Sequence, residues 1–298
     1  MWEVSSLRIG GIEAGGTKII CGIGDEHGNI EKKISFPTES PEIVFEKIYS
    51  FFAEEQIDAL GVGTFGPIDV DRSSATYGYI TSTPKPGWKN VDVLGKLKER
   101  INVPIGFDTD VNGAALAEAM WGSAKGLKSC VYYTVGTGVG VGVYVEGNLV
   151  HGLLHPEGGH IPVRRHPNDS FEGACPYHKD CLEGVAAGPA IEKRYGVKGH
   201  ELTPDHEAWE IEAYYLGQAL ISTILLLSPQ RIILGGGVMH QEQLFPQIRK
   251  QVVENLNGYV QHEMILQNIN QYIIAPGLGD NAGLCGALAL GLLEHQRN

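Results

Sequence analysis

The sequence predicts an α/β protein of two domains, and three observations lead there. Strand-like runs alternate with helical ones along all 298 residues. The pattern of strand, glycine turn, strand opens twice, at 7–23 and again at 129–150. Glycine contributes 40 residues without a G-X-Y period, which marks tight turns and close backbone approaches. Roughly 100–200 residues make a domain, so two cores can form without disulfide support. We place an N-terminal α/β domain at 1–117 and a C-terminal one at 118–298, with an inserted loop at about 155–183. The last helix is expected to pack back on the first domain.

Taken in order, LRIGGIEAGGTKIICGI at 7–23 reads as two β segments joined by Gly-Gly, and GDEHGNI turns into a third. Ile43, Val44, Ile48, Phe51 and Phe52 have helical spacing over 42–56. IDALGVGTFGPI at 57–68 is a buried-strand run. VPIGFDTD at 103–110 is a strand whose acidic end opens the helix NGAALAEAMWG. The second half restarts with strand, glycine turn, strand, turn, strand at 129–150. The Gly28-Asn29-Ile30 and Gly147-Asn148-Leu149 turns close the two openings alike, a weak internal repeat. A Leu/Ile-rich helix at 207–227, the strand RIILGGGV at 231–238, and strand, turn and closing helix at 272–293 complete the chain. Segment 151–206 holds seven of the eleven histidines and little periodicity, and is expected to be an elaborated loop.

The net charge of −12 argues against nucleic acid or anionic lipid as the partner, because both require a basic surface. No run of eighteen apolar residues appears, so no membrane span is expected. The opening residues lack a basic stretch followed by an apolar one, so no signal peptide is expected either. Five cysteines do not make a disulfide framework. Cys21, Cys130 and Cys285 read as small buried hydrophobes. A reducing cytoplasm is the expected compartment.

Three glycine clusters sit where strands end or fold back: Gly15-Gly16-Thr17-Lys18, Gly136-Thr137-Gly138 and Gly235-Gly236-Gly237. Exposed N–H groups in such turns make anion-binding concavities, and a Thr hydroxyl adds a donor. None is a P-loop, and GTGVGVG runs into a strand rather than a helix, so it is no dinucleotide fingerprint. Each alone is also compatible with a plain hairpin. Three together favour a nucleotide.

His160, Cys175, His178 and Cys181 lie in HIPVRRHPNDSFEGACPYHKDC. Thiolates and imidazoles are zinc's preferred ligands, and four of them close a tetrahedron, which implies a structural ion rather than a catalytic one. His155 and His166 remain rival ligands. A nucleic-acid ribbon is disfavoured, since only Arg164, Arg165 and Lys179 supply positive charge there.

Asp110 ends a strand and opens a helix, the place where ligands bind in open α/β sheets and also a place for an N-cap, a task Asp108 or Asn112 could share. Glu157 and Glu183 are tied by short tethers to His160 and Cys181. They suit the vicinal hydroxyls of a sugar, or are solvated loop charges. Glu13, Asp69 and Asp280 flank glycine turns and are candidates to orient Mg²⁺ waters or to stabilise those turns.

This set of motifs resembles the ROK family (repressors, open reading frames, sugar kinases), within the actin-like ATPase fold, of ribonuclease H-like topology. GIEAGGTK at 11–18 resembles the first phosphate segment, with Glu13 where an aspartate is usual. TVGTGVGVG at 134–142 resembles the second phosphate segment and LGGGV at 234–238 the adenosine segment. DTDVNGAALAE at 108–118 is similar to the segment carrying the catalytic base, which implies that role for Asp110, with Asn112 beside it at the substrate. HPEGGH at 155–160 implies Glu157 for sugar and His160 for zinc and substrate, and Glu183 completes the sugar set. The family's usual zinc segment has three thiolates; here His178 replaces one. That variant, with TSTPKPGW at 81–88, is similar to the family's bacterial fructokinases.

The resemblance implies ATP-dependent phosphorylation of D-fructose to fructose 6-phosphate, with ATP and Mg²⁺ as cofactors, structural Zn²⁺ and a homodimer. An ordinary aspartate is a weak base for an alkanol, so Asp110 would orient the hydroxyl first and take its proton late. Alternatives are a kinase for mannose, glucose or N-acetylmannosamine and, from another class, a non-catalytic sugar sensor or a transcription regulator. Ten residues before Gly11 are too few for the helix-turn-helix domain of such a regulator.

Overall fold

In the computed structural model, which describes residues 7–298, the chain forms two compact units. The reading of the leader at residues 1–6 lies outside the described residues. One unit takes the chain through Gly126, then Asn148–Pro156 and Asn281–Asn298; the other takes Leu127–Gly147 and Glu157–Asp280. The first therefore runs past the division placed after residue 117, because the helix there continues to Met120.

The first unit begins with β1 (Ile9–Ala14), β2 (Lys18–Gly24), β3 (Ile30–Pro37) and α1 (Pro41–Phe52). There follow β4 (Ala59–Thr64), β5 (Tyr79–Ile80), β6 (Val91–Asp92), α2 (Val93–Lys98), β7 (Ile105–Thr109) and α3 (Asp110–Met120). The other unit opens with β8 (Ser129–Val135) and β9 (Val139–Val145), before β10 (Asn148–Leu149) returns the chain to the first. The second unit then adds α4 (Leu182–Ala186), α5 (Gly188–Tyr195), α6 (Ala208–Leu227) and β11 (Ile232–Gly235). It ends with α7 (Leu244–Leu256), α8 (Glu263–Leu266), α9 (Ile269–Tyr272) and β12 (Ile273–Ile274). The closing helix α10 (Ala282–Arg297) belongs to the first unit.

The first sheet runs β3-β2-β1-β4-β7, antiparallel over β1–β3 and parallel from β1 to β7. In the second unit β9-β8-β11-β12 repeats that plan, antiparallel at β8/β9 and parallel onward. The shared topology gives the weak repeat read from the two glycine turns a structural basis. Segment 151–206 is not all loop: α4 and α5 lie within it, and Gly188-Pro189 ends the one and starts the other.

One face of the first sheet packs Ile12, Leu60, Val62 and Phe107 against Val44, Phe45, Ile48 and Phe52 of α1. These α1 residues recur at helical spacing, and Pro41 starts the helix where its missing N–H costs nothing. The opposite face carries glycines because α10 lies directly on the strands. A Cβ at Gly61 would sit 1.7 Å from the Ala287 carbonyl oxygen, and one at Gly106 2.2 Å from that of Leu290. Much of the glycine excess therefore serves helix-on-sheet contact. In the second unit Trp209, Tyr215, Leu216 and Leu220 of α6 are fully buried, as are Ile232 and Ile233 of β11.

Candidate functional site

At the end of β1 the chain turns through Gly15, Gly16 and Thr17 into β2. Gly15 N donates to the Lys18 carbonyl at 2.9 Å, and Thr38 Oγ1 to the Gly15 carbonyl at 2.8 Å. Gly16, Thr17 and Lys18 are exposed, and Lys85 Nζ bonds the Gly16 carbonyl. The turn is thus closed at its base and open at its tip, where an anion would meet backbone N–H groups.

Just before that turn, Glu13 buries its carboxylate. Burial, reinforced by the charge of Asp110, pushes its pKa up to about 7, and its Oε2 has no hydrogen-bond partner. Asp110 is the first residue of α3. Thr109 caps the helix, its Oγ1 accepting from Asn112 N at 3.1 Å, and so fixes where Asp110 stands. Burial raises the Asp110 carboxyl to about 6, against the pull of the Val111 N–H on Oδ1 at 2.9 Å.

Asn112, expected at the substrate, is instead fully buried, and its amide donates to Asp108 Oδ1 at 2.8 Å. The capped turn points its side chain inward, so Asn112 braces Asp108. Asp108 also accepts from Thr109 N at 2.7 Å and lies 2.7 Å from His151 Nε2. That bond raises the His151 pKa. Asp69 accepts from Ser74, Thr76 and Asp71 N; burial opposes ionisation, but these bonds outweigh it and hold the pKa low. It stabilises its own turn.

In the second unit two glycine turns meet at the carboxyl ends of β8 and β11. Gly136 N donates to the Gly138 carbonyl at 2.9 Å, and Gly188 N to the Gly136 carbonyl at 2.8 Å. Gly236 has φ of 90° and lies so close to β8 that a Cβ would be 2.5 Å from the Val135 carbonyl oxygen. A Cβ at Gly136 would be 3.7 Å from Gly237 N. Glu183, near the start of α4, reaches the same place: its Oε2 accepts from Val139 N at 3.1 Å. Asp280 is exposed and bonds His240 at 2.9 Å.

His160, Cys175, His178 and Cys181 bring their ligand atoms within 4.8 Å of one another. Cys175 Sγ is 3.7 Å from His160 Nδ1 and 3.8 Å from His178 Nδ1, and Cys181 Sγ is 3.5 Å from His160 Nδ1. A zinc tetrahedron with Zn–S near ~2.3 Å and Zn–N near ~2.0–2.1 Å has edges of about 3.3–3.8 Å, a range that the three S–N separations match, so the chemistry of the donor set is compatible with that ion. The chain makes the cluster with a tight turn in which Cys175 and Lys179 exchange backbone hydrogen bonds, Lys179 taking φ of 57°. Neither rival ligand joins in. His155 lies in the first unit, where its Nε2 accepts from Ile68 N at 3.0 Å. His166 Nδ1 accepts from Asn168 N, and its ring sits edge-on to Tyr214. Glu157 is exposed, two residues past His155, and its carbonyl accepts from His160 N at 3.0 Å.

Two arrangements had no signal in the sequence. One is the Asp108–His151 pair. The other, in the second unit, is Asp169, which accepts from Arg194 Nε and Nη2 at 3.1 and 3.0 Å and from Tyr215 OH at 2.7 Å. Arg194 also donates to the Val185 carbonyl at the end of α4, and so anchors the helix that follows Cys181.

A mixed sheet of the same plan in each unit, with glycine turns at its strand ends, defines an α/β fold consistent with the actin-like ATPase class. The chain belongs to the ROK family, whose model matches residues 9–293. It is 51% identical over 282 residues to a putative fructokinase of Bacillus subtilis, covering 95% of this chain and 94% of that one. It is 45% identical over 284 residues to a fructokinase of Pediococcus pentosaceus, covering 95% and 97%. Among solved structures, the ROK hexokinase of Thermus thermophilus superposes with a TM-score of 0.78 at 30% identity, covering 98% of this chain and all of that one. No helix among the described residues is long and apolar enough to cross a membrane.

Proposed function

We propose that this ROK family hexose kinase transfers the γ-phosphoryl group of ATP to the 6-hydroxyl of D-fructose, with Asp110 as general base. The sugar assignment is carried by the high identity to fructokinases along nearly the whole chain. Asp110 accepts the hydroxyl proton as the oxygen attacks phosphorus. Its carboxyl, raised to about 6 by burial, is ionised at neutral pH yet more basic than an ordinary aspartate. That removes part of the objection that an unperturbed aspartate is too weak a base.

Gly15–Lys18 and Gly136–Gly138 offer N–H and hydroxyl donors to the phosphates, and Gly235–Gly237 lines the adenosine side. Glu13 is the acidic side chain beside the first turn that would orient the waters of Mg²⁺, which when bound with ATP would supply neutralising charge to the phosphoryl oxygens. Glu157, His160 and Glu183 take the sugar hydroxyls. His160, Cys175, His178 and Cys181 would hold a structural zinc, which would order the segment between Glu157 and Glu183 and leave the transfer itself to Asp110 and the phosphate turns. The Asn112 carboxamide supports Asp108 and so the start of α3.

A coupled ADP-release assay with Mg-ATP tests this across fructose, mannose, glucose and N-acetylmannosamine, with Asp110→Asn beside the wild type. Turnover led by fructose and lost in the variant is expected. Preference for another sugar moves the specificity, and sugar binding without turnover on any of them favours a sensor.

A further inference from the structure

We propose that Asp108 and His151 form a clasp that sets the position of segment 148–156, and that His151 is a positioning residue for sugar capture. This rests on the sugar-kinase reading above. Asp108 lies on β7, two residues before Asp110, and its side chain is only 4% exposed. Its Oδ1 is committed to Thr109 N and the Asn112 amide, which leaves Oδ2 for His151 Nε2 at 2.7 Å. A buried carboxylate oxygen needs a hydrogen-bond donor, and the imidazole N–H supplies one, a bond that raises the His151 pKa.

The tip of the segment that carries His151 is not held by apolar packing. Leu153 is 99% exposed and Leu154 47%, so apolar burial does not fix the chain there. Its second anchor is again an imidazole: buried His155 accepts from Ile68 N at 3.0 Å through Nε2. Two histidines four residues apart thus pin the segment at both ends to the first unit, one on the strand leading to Asp110 and one on the loop after β4. The clasp also braces Asp108 near the end of β7, and Asp110, the proposed base for the sugar hydroxyl, follows two residues on, as orienting partners place site groups elsewhere.

The test is calorimetric binding of fructose, and separately of an ATP analogue, to the full chain as wild type, His151→Ala, His151→Gln and the His151→Ala/Asp108→Ala double variant. For His151→Ala the fructose Kd rises roughly 10–100-fold, the usual loss when a group orienting a site is removed. The nucleotide Kd stays within about twofold; the double variant also strips Thr109 N and the Asn112 amide of their acceptor, so it binds fructose no better than His151→Ala. His151→Gln, whose amide can still donate to Asp108, recovers most of the loss. Unchanged fructose binding in His151→Ala overturns the clasp, as does an equal loss for both ligands, which marks a general folding defect. Failure of the wild type to bind fructose, mannose, glucose or N-acetylmannosamine overturns the sugar-kinase reading, and the inference with it.

Discussion

The Glu13 carboxylate packs against Gly283 in the first turn of α10, so closely that a Cβ on Gly283 would lie 2.3 Å from Glu13 Oε1. A helix N-terminus favours a nearby negative charge, yet burial and Asp110 raise the pKa of this carboxyl to about 7. It is a group held at the edge of ionisation beside the first phosphate turn.

Gly283→Ala is therefore expected to fold normally and to turn over poorly. The obstruction is the end of a flexible side chain, which can swing away at the low end of the ~1–3 kcal/mol that overpacking costs. Displacing it should raise the free Mg²⁺ needed for half-maximal rate. Gly61→Ala is the opposite case, since its Cβ would meet the helix backbone at Ala287, 1.7 Å away. There the strand or α10 must move, and a loss of about 1–3 kcal/mol or more is expected. Urea melts and Mg²⁺ titrations of the two variants separate these outcomes; a Gly61→Ala protein as stable as wild type contradicts the packing of α10 on β4.

Asp110→Asn should cost ~10²–10⁴ in kcat while leaving the fold intact. The pH dependence has a definite sign. A base must be ionised, so kcat/KM should rise with pH through about 6, the Asp110 value, and that limb should vanish in the variant. Stability runs the other way. The folded pKa lies above the unfolded one, so the folded state binds the extra proton, and stability falls as pH rises from about 4 to about 6. Above that window the variant should be more stable than wild type, by an amount on the order of 1–3 kcal/mol. Thermal melts at pH 4 and pH 8 measure the crossing.

Removing zinc should act on the sugar side first. Chelation, or Cys181→Ser, is expected to lower the melting temperature and weaken fructose binding while nucleotide binding persists. The four ligands lie on the segment between Glu157 and Glu183, whereas Gly235–Gly237 is ordered by β8 and β11. Metal analysis alongside calorimetry checks it. Full sugar affinity in demonstrably zinc-free protein would sink the role given to the ion.

The strand–turn–strand openings, α1, α3, α6 and α10 were legible because apolar periodicity and glycine punctuation are local signals. The cluster of His160, Cys175, His178 and Cys181 is legible because Cys and His gather rarely without cause. Asn112, expected at the substrate from the resemblance of 108–118 to the family segment, lies instead against Asp108, because the Thr109 cap sets the turn that directs its amide there. The Asp108–His151 pair spans 43 residues and the Asp169–Tyr215 bond 46, and no spacing rule links residues so far apart. Polar pairs of that kind are defined by the packed structure alone.

The buried polar cluster beneath α4 offers the last test, because its members pull in opposite directions. Arg194 and Asp169 are 7% and 2% exposed and joined by two hydrogen bonds, while Tyr215 and Phe171 N complete the carboxylate's partners. Arg194→Ala strips a buried charge of its counterion and should cost about 3–5 kcal/mol. Glu212, on the same helix as Tyr215, is 1% exposed with neither oxygen bonded. Burial drives its pKa well above the carboxylate range, only partly countered by Arg194. A raised acid stabilises the fold at low pH and withdraws that support as pH rises, so Glu212→Gln should stabilise the protein most in alkaline buffer. Removing Arg194 deepens the problem at Glu212 as well, so the two substitutions should not be additive. Urea denaturation of both single variants and the double variant at pH 6 and pH 9 reads all of this. Additive effects, or a Glu212→Gln protein less stable than wild type at pH 9, would show that Glu212 has a partner the packing does not reveal.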